Sequence, residues 1–299
     1  MLRCLVKALG IAAIRSNAGF TEMLAPVNKI IPFSNVDGPG NRLAIFFQSC
    51  PFRCYYCHNP ETIRMCINCG QCVATCPAQA LQLTADKVVW DQNRCIGCDT
   101  CIKVCPHLSS PKVVNMSVDE VLSQVIKARP FIQGITVSGG ECTNHAAFLT
   151  ELFKAVQALN LTTFIDTNGH HDLRKLPELI ACTDQVMLDV KAYDAEYHRF
   201  MTGQSNDNVL INLNYLLKIN KLYEVRTVLL HDQQQNIQTV SHVAELIQDR
   251  CYYKLIKYRP FGVRQAGLSI CGETIVDDQQ LQAMSELAQK HGAARIIAI

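Results

Sequence analysis

Eleven of the 16 cysteines in this 299-residue sequence lie in three runs between Cys50 and Cys105. A chain of this length buries about three-quarters of its unfolded surface, so it does not need disulfides to hold a core together. Clustered thiols in a reducing compartment typically bind metal or do chemistry. The spacing therefore predicts a local metal centre and favours a cytoplasmic protein.

Two of the runs repeat the pattern Cys-x2-Cys-x2-Cys-x3-Cys-Pro, first from Cys66 to Pro77 and then from Cys95 to Pro106. In bacterial ferredoxins this spacing holds two 4Fe-4S clusters, and the fourth cysteine of each run ligates the other cluster. One cluster is thus assigned to Cys66, Cys69, Cys72 and Cys105, and the other to Cys95, Cys98, Cys101 and Cys76. Two structural zinc sites are the alternative, but the duplicated x3-Cys-Pro endings disfavour them.

The third run has a different spacing, Cys50-x3-Cys54-x2-Cys57. Three thiolates on a four-iron cluster leave one iron without a protein ligand, and such an iron can bind a substrate or cofactor. The alternative is a small zinc site in which His58 supplies the fourth ligand.

Strand-like and helix-like segments alternate along the rest of the chain, which predicts an α/β fold with six strand–helix units and a parallel sheet, open or curled into a partial (β/α)6 barrel. The predicted strands are Arg42 to Gln48, Gly134 to Ser138, Thr162 to Asp166, Gln185 to Val190, Glu224 to Leu230 and Lys254 to Tyr258. The predicted helices are Ser117 to Arg129, His145 to Leu159, Asp172 to Ala181, Val209 to Asn220, Ile237 to Asp249 and Asp278 to His291. Residues 295–299 form a short apolar tail.

The domain boundaries follow from these segments. Residues 1–27 are expected to be a poorly ordered extension, because their apolar run is bracketed by Lys7 and Arg15 and matches a signal peptide poorly. Residues 28–60 contain the first strand and the cysteine triple, residues 61–116 the ferredoxin-like insert with a hairpin near 80–90, and residues 117–299 the remaining strand–helix units.

Polar motifs follow the predicted strands at their carboxyl ends, where the active sites of βα folds form. They are Gly139-Gly140-Glu141, Asp166-Thr167-Asn168 and Asp189-Val190-Lys191. The glycines would let backbone approach a ligand, Glu141 suits an ammonium, and Lys191 suits a carboxylate, so together they could hold an amino acid. Taken alone, the first motif could be a tight turn and the third a surface ion pair.

In combination these motifs, with Asp37-Gly38-Pro39-Gly40, resemble the radical S-adenosylmethionine (SAM) enzymes that activate glycyl radical enzymes. The insert places the sequence in the insert-bearing branch, where it most resembles the YjjW-type activases. The resemblance implies a partial (β/α)6 radical SAM barrel and an oxidoreductase with three 4Fe-4S clusters, in which the cluster on Cys50, Cys54 and Cys57 binds SAM. It implies that a 5′-deoxyadenosyl radical takes a hydrogen atom from a glycine of a separate enzyme, with flavodoxin or ferredoxin as the electron donor.

The resemblance also implies roles for individual residues around SAM. Tyr56, Cys57 and His58 would lie along the adenine, Gly139, Gly140 and Glu141 would receive the amino group, and Asp189 and Lys191 the carboxylate and ribose region. Asn168, Arg226 and Arg259 are further expected cofactor contacts. Asp166, Thr167, the Met187 carbonyl and Asp189 match positions that hold a monovalent cation in some relatives, and Asp37 to Gly40 resembles the loop that meets the partner's glycine.

The sequence departs from the family pattern at four places. Ser49 replaces the usual Gly before the first ligand, and Cys142 follows Glu141 where Pro or Ala is common. Arg259-Pro260-Phe261-Gly262 replaces His-x-x-Gly, and His231-Asp232 replaces a Pro-Gly-containing segment. The remaining cysteines are expected to be small buried apolar residues.

Composition excludes several other classes of function. The chain has 28 Lys plus Arg against 26 Asp plus Glu, with no run of like charges, which disfavours nucleic-acid binding. No apolar stretch is long enough to span a bilayer. Two rival interpretations remain: a radical SAM enzyme that modifies another peptide or a small molecule with two auxiliary clusters, and a non-enzymatic electron carrier or zinc-stabilised interaction protein.

Overall fold

The structure, a computed structural model, describes residues 23–299 as one large sheet with helices and a small separate hairpin. The strands are β1 Leu24–Ser34, β2 Arg42–Phe47, β3 Leu81–Thr84, β4 Lys87–Trp90, β5 Val114–Ser117, β6 Gly134–Gly139, β7 Thr162–Thr167, β8 Gln185–Asp189, β9 Leu222–Leu229, β10 Tyr252–Lys257 and β11 Ile296–Ala298. The helices are α1 Thr100–Lys103, α2 Val118–Ala128, α3 Ala146–Gln157, α4 Pro177–Ala181, α5 Ala195–Thr202, α6 Asp207–Lys218, α7 Gln233–Ile247, α8 Gln265–Cys271 and α9 Asp278–Lys290.

The large sheet has the strand order β11-β10-β9-β8-β7-β6-β2-β1-β5. All neighbouring pairs from β2 to β11 are parallel, whereas β1 is antiparallel to both β2 and β5. The predicted α/β class and its six parallel strands are therefore confirmed. The sheet is open, because within the described residues its edge strands β5 and β11 do not pair with each other.

The two faces of the sheet differ in polarity because side chains alternate along each strand. Ile135 and Val137 of β6, and Val186 and Leu188 of β8, belong to the fully buried apolar core that the helices cover. The residues between and after them carry the polar groups of the other face, which we call the inner face. Its members include Thr136, Ser138, Asp166, Asp189 and Arg226.

Several predicted boundaries need correction. The catalytic domain begins before residue 28, because β1 starts at Leu24 and its residues 24–27 pair with β5. The rest of the extension, residues 1–22, which the sequence predicts to be poorly ordered, lies outside the described residues. The predicted helix Asp172 to Ala181 is two pieces, a short 3-10 turn and α4, because Pro177 disfavours helical backbone at Leu176.

Other predictions about local structure are confirmed. Ser117 and Glu120 form the expected capping box at the start of α2, in which each side chain accepts a hydrogen bond from the other residue's backbone N–H. Strands β3 and β4 make the expected antiparallel hairpin in the insert. The short apolar tail contains strand β11, which pairs with β10 and extends the sheet. Cys142, Cys182, Cys251 and Cys271 are all buried.

No helix among residues 23–299 has the length and apolar character needed to cross a membrane.

Candidate active site at the carboxyl edge of the sheet

The loop that carries Cys50, Cys54 and Cys57 begins directly after β2 and is held from two sides. On one side, Ser49 N–H donates to the Thr62 carbonyl and Cys50 N–H to the Ile63 carbonyl, both at 2.9 Å. On the other side, the backbone N–H groups of residues 53 and 55 donate to carbonyls at the end of α5, at 2.7 and 3.0 Å. The last carbonyls of a helix have no partner within the helix, so α5 can bind the loop without losing bonds of its own.

Helix α5 also supports the loop through side chains. The His198 ring is fully buried and packs edge-on against Phe52, with ring centroids 5.4 Å apart. Gln204 donates to the Pro51 carbonyl at 3.2 Å. Sequence reasoning missed this helix, although Asp194 caps its start and Gly203, with φ +77°, ends it. Those two residues are recognisable start and stop signals.

The three cysteines of the loop are close enough to influence one another's ionisation. Burial raises the pKa of the Cys57 thiol to about 12, and the neighbouring Cys54 adds to that increase. Burial likewise raises the pKa of Cys50 and of Cys54, although Lys191 acts in the opposite direction on Cys54. A metal would have to supply the positive charge that lets these sulfurs bind as thiolates.

Gly139 and Gly140 are required by the protein's own backbone. A Cβ on Gly139, which has φ +121°, would lie 2.2 Å from the Phe47 nitrogen, and one on Gly140 would lie 2.3 Å from the Ser49 carbonyl oxygen. Gly140 N–H donates to the Phe47 carbonyl, and Glu141 N–H to that of Ser49, both at 2.8 Å. Besides the predicted approach of a ligand, the contact between β6 and the start of the cysteine loop thus requires glycine at these two positions.

The Glu141 carboxylate is buried and holds the end of β7. Its Oε1 accepts hydrogen bonds from the Thr143 and Thr167 hydroxyls at 2.6 and 2.7 Å, and from Thr143 N–H at 3.1 Å. Its Oε2 accepts from Asn168 N–H at 2.8 Å. Glu141, predicted to receive a ligand's ammonium group, thus also connects two of the predicted motifs. Asn168 in turn lies beside Cys50, with its Nδ2 3.4 Å from the Cys50 Sγ.

Below this edge, a buried charge network occupies the inner face. Arg226 donates to Asp166 Oδ2 at 3.0 Å and to Glu224 Oε1 at 2.5 Å, and Ser138 also donates to Asp166. Burial raises the pKa of Asp166 to about 6, although Arg226 opposes this shift, and the pKa of Arg226 is raised because its attraction to the two carboxylates exceeds the effect of burial. Arg226 is therefore on the same face as the predicted cation ligands.

Asp189 and Lys191 follow β8 and form an ion pair 2.9 Å long. The ammonium group of Lys191 lies 5.7 Å from the centre of the Tyr56 ring, within the range of a cation–π contact. The pKa of Lys191 is raised because Asp189, Tyr56 and Cys54 outweigh the opposing effect of burial. The Tyr56 hydroxyl is buried without a hydrogen-bond partner among the described residues. Three predicted motifs thus converge beside the cysteine loop.

The segment 259–267 closes the other end of the cysteine loop. His58 Nε2 lies 2.8 Å from the Arg259 carbonyl oxygen, so Arg259 reaches the loop through its backbone while its side chain is exposed. A Cβ on Gly267 of α8 would lie only 1.9 Å from the Tyr55 carbonyl oxygen. Sequence reasoning missed α8, whose contact with the loop depends on a single glycine.

The Asp37–Gly40 loop lies at the opposite edge of the sheet, before β2 begins. The Thr136 hydroxyl donates to the Asp37 carbonyl at 2.5 Å, and the buried Arg42 side chain donates to Thr136 Oγ1 at 2.8 Å. The negative charge of Asp37 contributes to the raised pKa of Asp166, after the larger effect of burial. The inner face therefore extends from this loop toward the cysteine triple.

Within the insert, the cysteines line two small cavities. The first cavity is lined by Cys76, Cys95, Cys98 and Cys101, and the second by Cys66, Cys69, Cys72 and Cys105. These are the two crossed sets that the spacing predicts. Among residues 23–299, no three His, Cys, Asp or Glu side chains are arranged to hold a single metal ion.

One contact ties the insert to the catalytic domain near its second cavity. Arg264, just before α8, donates to the Cys105 carbonyl at 3.0 Å. Its guanidinium also interacts with the charges of Glu61 and Cys57, although burial lowers its pKa. The cysteine set that contains Cys105 is thus the one joined to the triple through Arg264.

The fold and the site agree with the comparisons with known proteins. The sequence profile of the radical SAM superfamily matches residues 44–247, more than half of the chain. This protein therefore belongs to the radical SAM superfamily.

Within that superfamily, the chain is similar to activating enzymes of glycyl radical enzymes. It is 31% identical over 93% of its length to a Haemophilus influenzae protein described as a glycyl-radical enzyme activating enzyme, 98% of which is covered. It is 29% identical to the choline trimethylamine-lyase activating enzyme of Oleidesulfovibrio alaskensis, over 90% of this chain and 96% of that one. It is an enzyme of this activating type, as the sequence predicts.

Solved structures support the fold alone, because their sequence identities are low. The Escherichia coli protein QueE superposes with a TM-score of 0.50 and 12% identity over 92% of this chain and 93% of that one. Streptococcus suis SuiB, bound to its precursor peptide SuiA, superposes with a TM-score of 0.53 and 13% identity over 83% of this chain and 46% of that one.

Proposed function

We propose that this enzyme cleaves SAM reductively and uses the resulting radical to take a hydrogen atom from a glycine of a separate glycyl radical enzyme. The observation that carries the proposal is the convergence of the cysteine triple with three strand-end motifs at one edge of the sheet. The relatives described above are activating enzymes, which supports the same assignment.

Cys50, Cys54 and Cys57 fit a four-iron cluster because they share one loop, influence one another's pKa, and are held by backbone bonds from two sides. Such a cluster, when bound, supplies the electron and the open iron for SAM chemistry. Around it, Lys191 offers a charge for the methionine carboxylate, and the edge at Gly139 to Glu141 offers backbone and carboxylate groups for the ammonium. The three cysteines are partly buried, which limits the access of water to them.

The inner face is the proposed path for the partner's glycine-bearing segment. It begins at the Asp37–Gly40 loop, which Thr136 and Arg42 hold, and it ends below the cysteine triple. Asp166, Thr167, the Met187 carbonyl and Asp189 are proposed to hold a monovalent cation, because hard oxygen ligands suit such an ion. Burial raises the pKa of Asp166 despite the bond from Arg226, so a bound cation would further favour the charged form of this carboxylate.

The insert is proposed to hold two further 4Fe-4S clusters in the crossed arrangement. The two cavities support this because each is lined by one predicted set of four thiols. These clusters would supply electrons from a flavodoxin or ferredoxin. Each set has one exposed cysteine, Cys69 or Cys98, at which a donor could approach, and Arg264 bonds the set that contains Cys105 to the catalytic domain.

Anaerobic reconstitution tests the assignment. The wild-type enzyme should take up about twelve irons per chain, at four per cluster, and should form 5′-deoxyadenosine from SAM with dithionite. Cys54→Ala should abolish this cleavage. Absence of cleavage by the fully loaded wild type would refute the proposal, and zinc without sulfide would favour the interaction-protein alternative.

The identity of the hydrogen donor needs a second test. A glycine-centred electron paramagnetic resonance (EPR) doublet should appear only when a glycyl radical enzyme and SAM are both present. Cleavage of SAM with no doublet for any candidate partner, together with turnover of another peptide or small molecule, would favour the alternative radical SAM reaction.

The role of the insert is tested with matched cysteine variants. Cys69→Ala and Cys98→Ala should slow flavodoxin-driven turnover while leaving dithionite-driven turnover and SAM binding intact. An equal fall with both reductants would indicate a structural role instead.

A further inference from the structure

Asn168 lies on the far side of the Cys50 sulfur from the loop backbone, at the end of β7. It is 6% exposed, and its side-chain Nδ2 is 3.4 Å from Cys50 Sγ, within the range of a hydrogen bond to sulfur. We infer that Asn168 is a positioning residue that donates a hydrogen bond to the Cys50 thiolate and thereby makes the cluster on this loop easier to reduce. The inference rests on the proposed function, in which Cys50 is a cluster ligand.

The orientation of the Asn168 amide is fixed by its other contacts. Its Oδ1 accepts a hydrogen bond from His170 N–H at 2.9 Å. A backbone N–H can only donate, so the oxygen of the amide must face His170 and the NH2 group must face the sulfur. Asn168 N–H in turn donates to Glu141 Oε2 at 2.8 Å. The donor to sulfur is therefore set by two independent bonds.

Glu141 has a double effect on this sulfur. Its carboxylate anchors Asn168 and, through Oε1, the Thr167 hydroxyl beside it. The same negative charge is near enough to Cys50 to oppose charge on the sulfur. An N–H donor aimed at that sulfur offsets the repulsion, because hydrogen bonds to charged acceptors are the stronger ones.

Reduction adds an electron to a cluster whose ligands are already negative. A donor to a ligand sulfur stabilises the more negative state, and such bonds are among the means by which proteins set cluster potentials. Removing the donor should therefore shift the potential of this cluster to more negative values. The anchoring by Glu141 keeps the donor in place while the partner approaches along the inner face.

The test uses Asn168→Leu, which removes the donor without adding charge. Asn208→Ala is the matched control, because Asn208 donates to the His170 carbonyl at 2.7 Å and so supports the same loop without touching the sulfur. Redox titration of the anaerobically loaded enzymes should be followed by the EPR signal that changes when SAM is added, since this identifies the cluster with the open iron.

The midpoint potential of Asn168→Leu should be more negative than that of the wild type, and Asn208→Ala should match the wild type. An unchanged potential in Asn168→Leu, or an equal shift in Asn208→Ala, would overturn the inference. A wild type with no SAM-responsive signal would refute the proposed function itself, and the inference with it.

A second measurement covers the case in which Asn168→Leu does not load iron. Wild-type enzyme labelled with 15N only in asparagine should show a 15N coupling to the reduced SAM-responsive cluster in pulsed EPR. The Asn59 backbone N–H lies at the Cys57 sulfur and adds its own 15N coupling, so a coupling that is present in the wild type and lost in Asn168→Ser, while that of Asn59 stays, would be assigned to Asn168. A wild-type cluster with no such coupling would overturn the inference.

Discussion

The cysteine triple and the cysteine-rich insert are held in place by different means. The triple lies in a loop that is bonded to residues 62 and 63, to α5 and to Glu141 after β6, and both α5 and β6 pack on the main core. The insert has a core of its own with only three buried members, Cys72, Leu81 and Cys101, two of which are predicted ligands. The catalytic domain thus organises the triple before any metal binds, whereas the insert depends on its ligands.

Removal of iron should expose this difference most strongly. Peptide units of about 40 residues rarely fold without metal or disulfides, so residues 66–106 should lose their structure when a chelator strips the enzyme. Amide hydrogen exchange should become fast throughout β3 and β4, while β6 to β9 keep protection near that of global unfolding. If the β3–β4 hairpin kept its protection in the iron-free enzyme, the structure of the insert would not depend on its metal ligands.

Gly267→Ala should produce the next largest effect. Alanine normally favours a helix over glycine by about 1 kcal/mol. Here the added Cβ would meet the Tyr55 carbonyl at 1.9 Å, so the backbone of α8 or of the cysteine loop must shift, at a cost of about 3 kcal/mol. Thermal unfolding and the SAM-responsive EPR signal measure this loss.

Gly97→Ala is the control in the insert. Gly97 has φ +70° but a Cβ there would meet nothing within 4 Å, so only backbone strain of about 1 kcal/mol is expected. Equal losses at the two positions would mean that the close contact with Tyr55 does not matter.

His198→Ala should loosen the loop through its support from α5. It removes a hydrogen bond to the Gln204 carbonyl, 2.9 Å long, and the edge-on contact with Phe52. At about 1 kcal/mol for each, the loss is about 2 kcal/mol. Iron retention at the triple should fall when a chelator competes, with no change in the insert.

His242→Ala is a matched control, because His242 stacks on Tyr193 at 4.1 Å and is on α7. It should leave iron retention at the triple unchanged. If both variants released iron equally, support of the loop by α5 would not be specific.

Ser49→Gly should give the smallest effect, and a stabilising one. Ser49 has φ +82°, in the region that glycine adopts freely. Relief of this strain is worth about 1 kcal/mol and should raise the melting temperature by about 2–4 °C for a chain of this size. A lower melting temperature would indicate that the Ser49 side chain contributes a bond that outweighs the strain.

Prediction from sequence succeeded where spacing along the chain carries the information. The capping box at Ser117, the hairpin of the insert and the six parallel strands all depend on residues near one another in sequence or on regular alternation. Helices α5 and α8 were missed because they are short, and because their importance comes from contacts with a loop more than a hundred residues earlier. The contact of Gly139 with Phe47 could not be predicted, since the two residues are remote in sequence.

The sequence by itself determined the superfamily and the kind of chemistry that is proposed, because the number and spacing of thiols limit which clusters could form. The tertiary structure decided how that chemistry is positioned. Only the fold brings Asn168 to Cys50, turns Glu141 into an anchor for β7, and places Arg264 between the insert and the catalytic domain. These contacts depend on distances between remote strand ends, which no local pattern specifies.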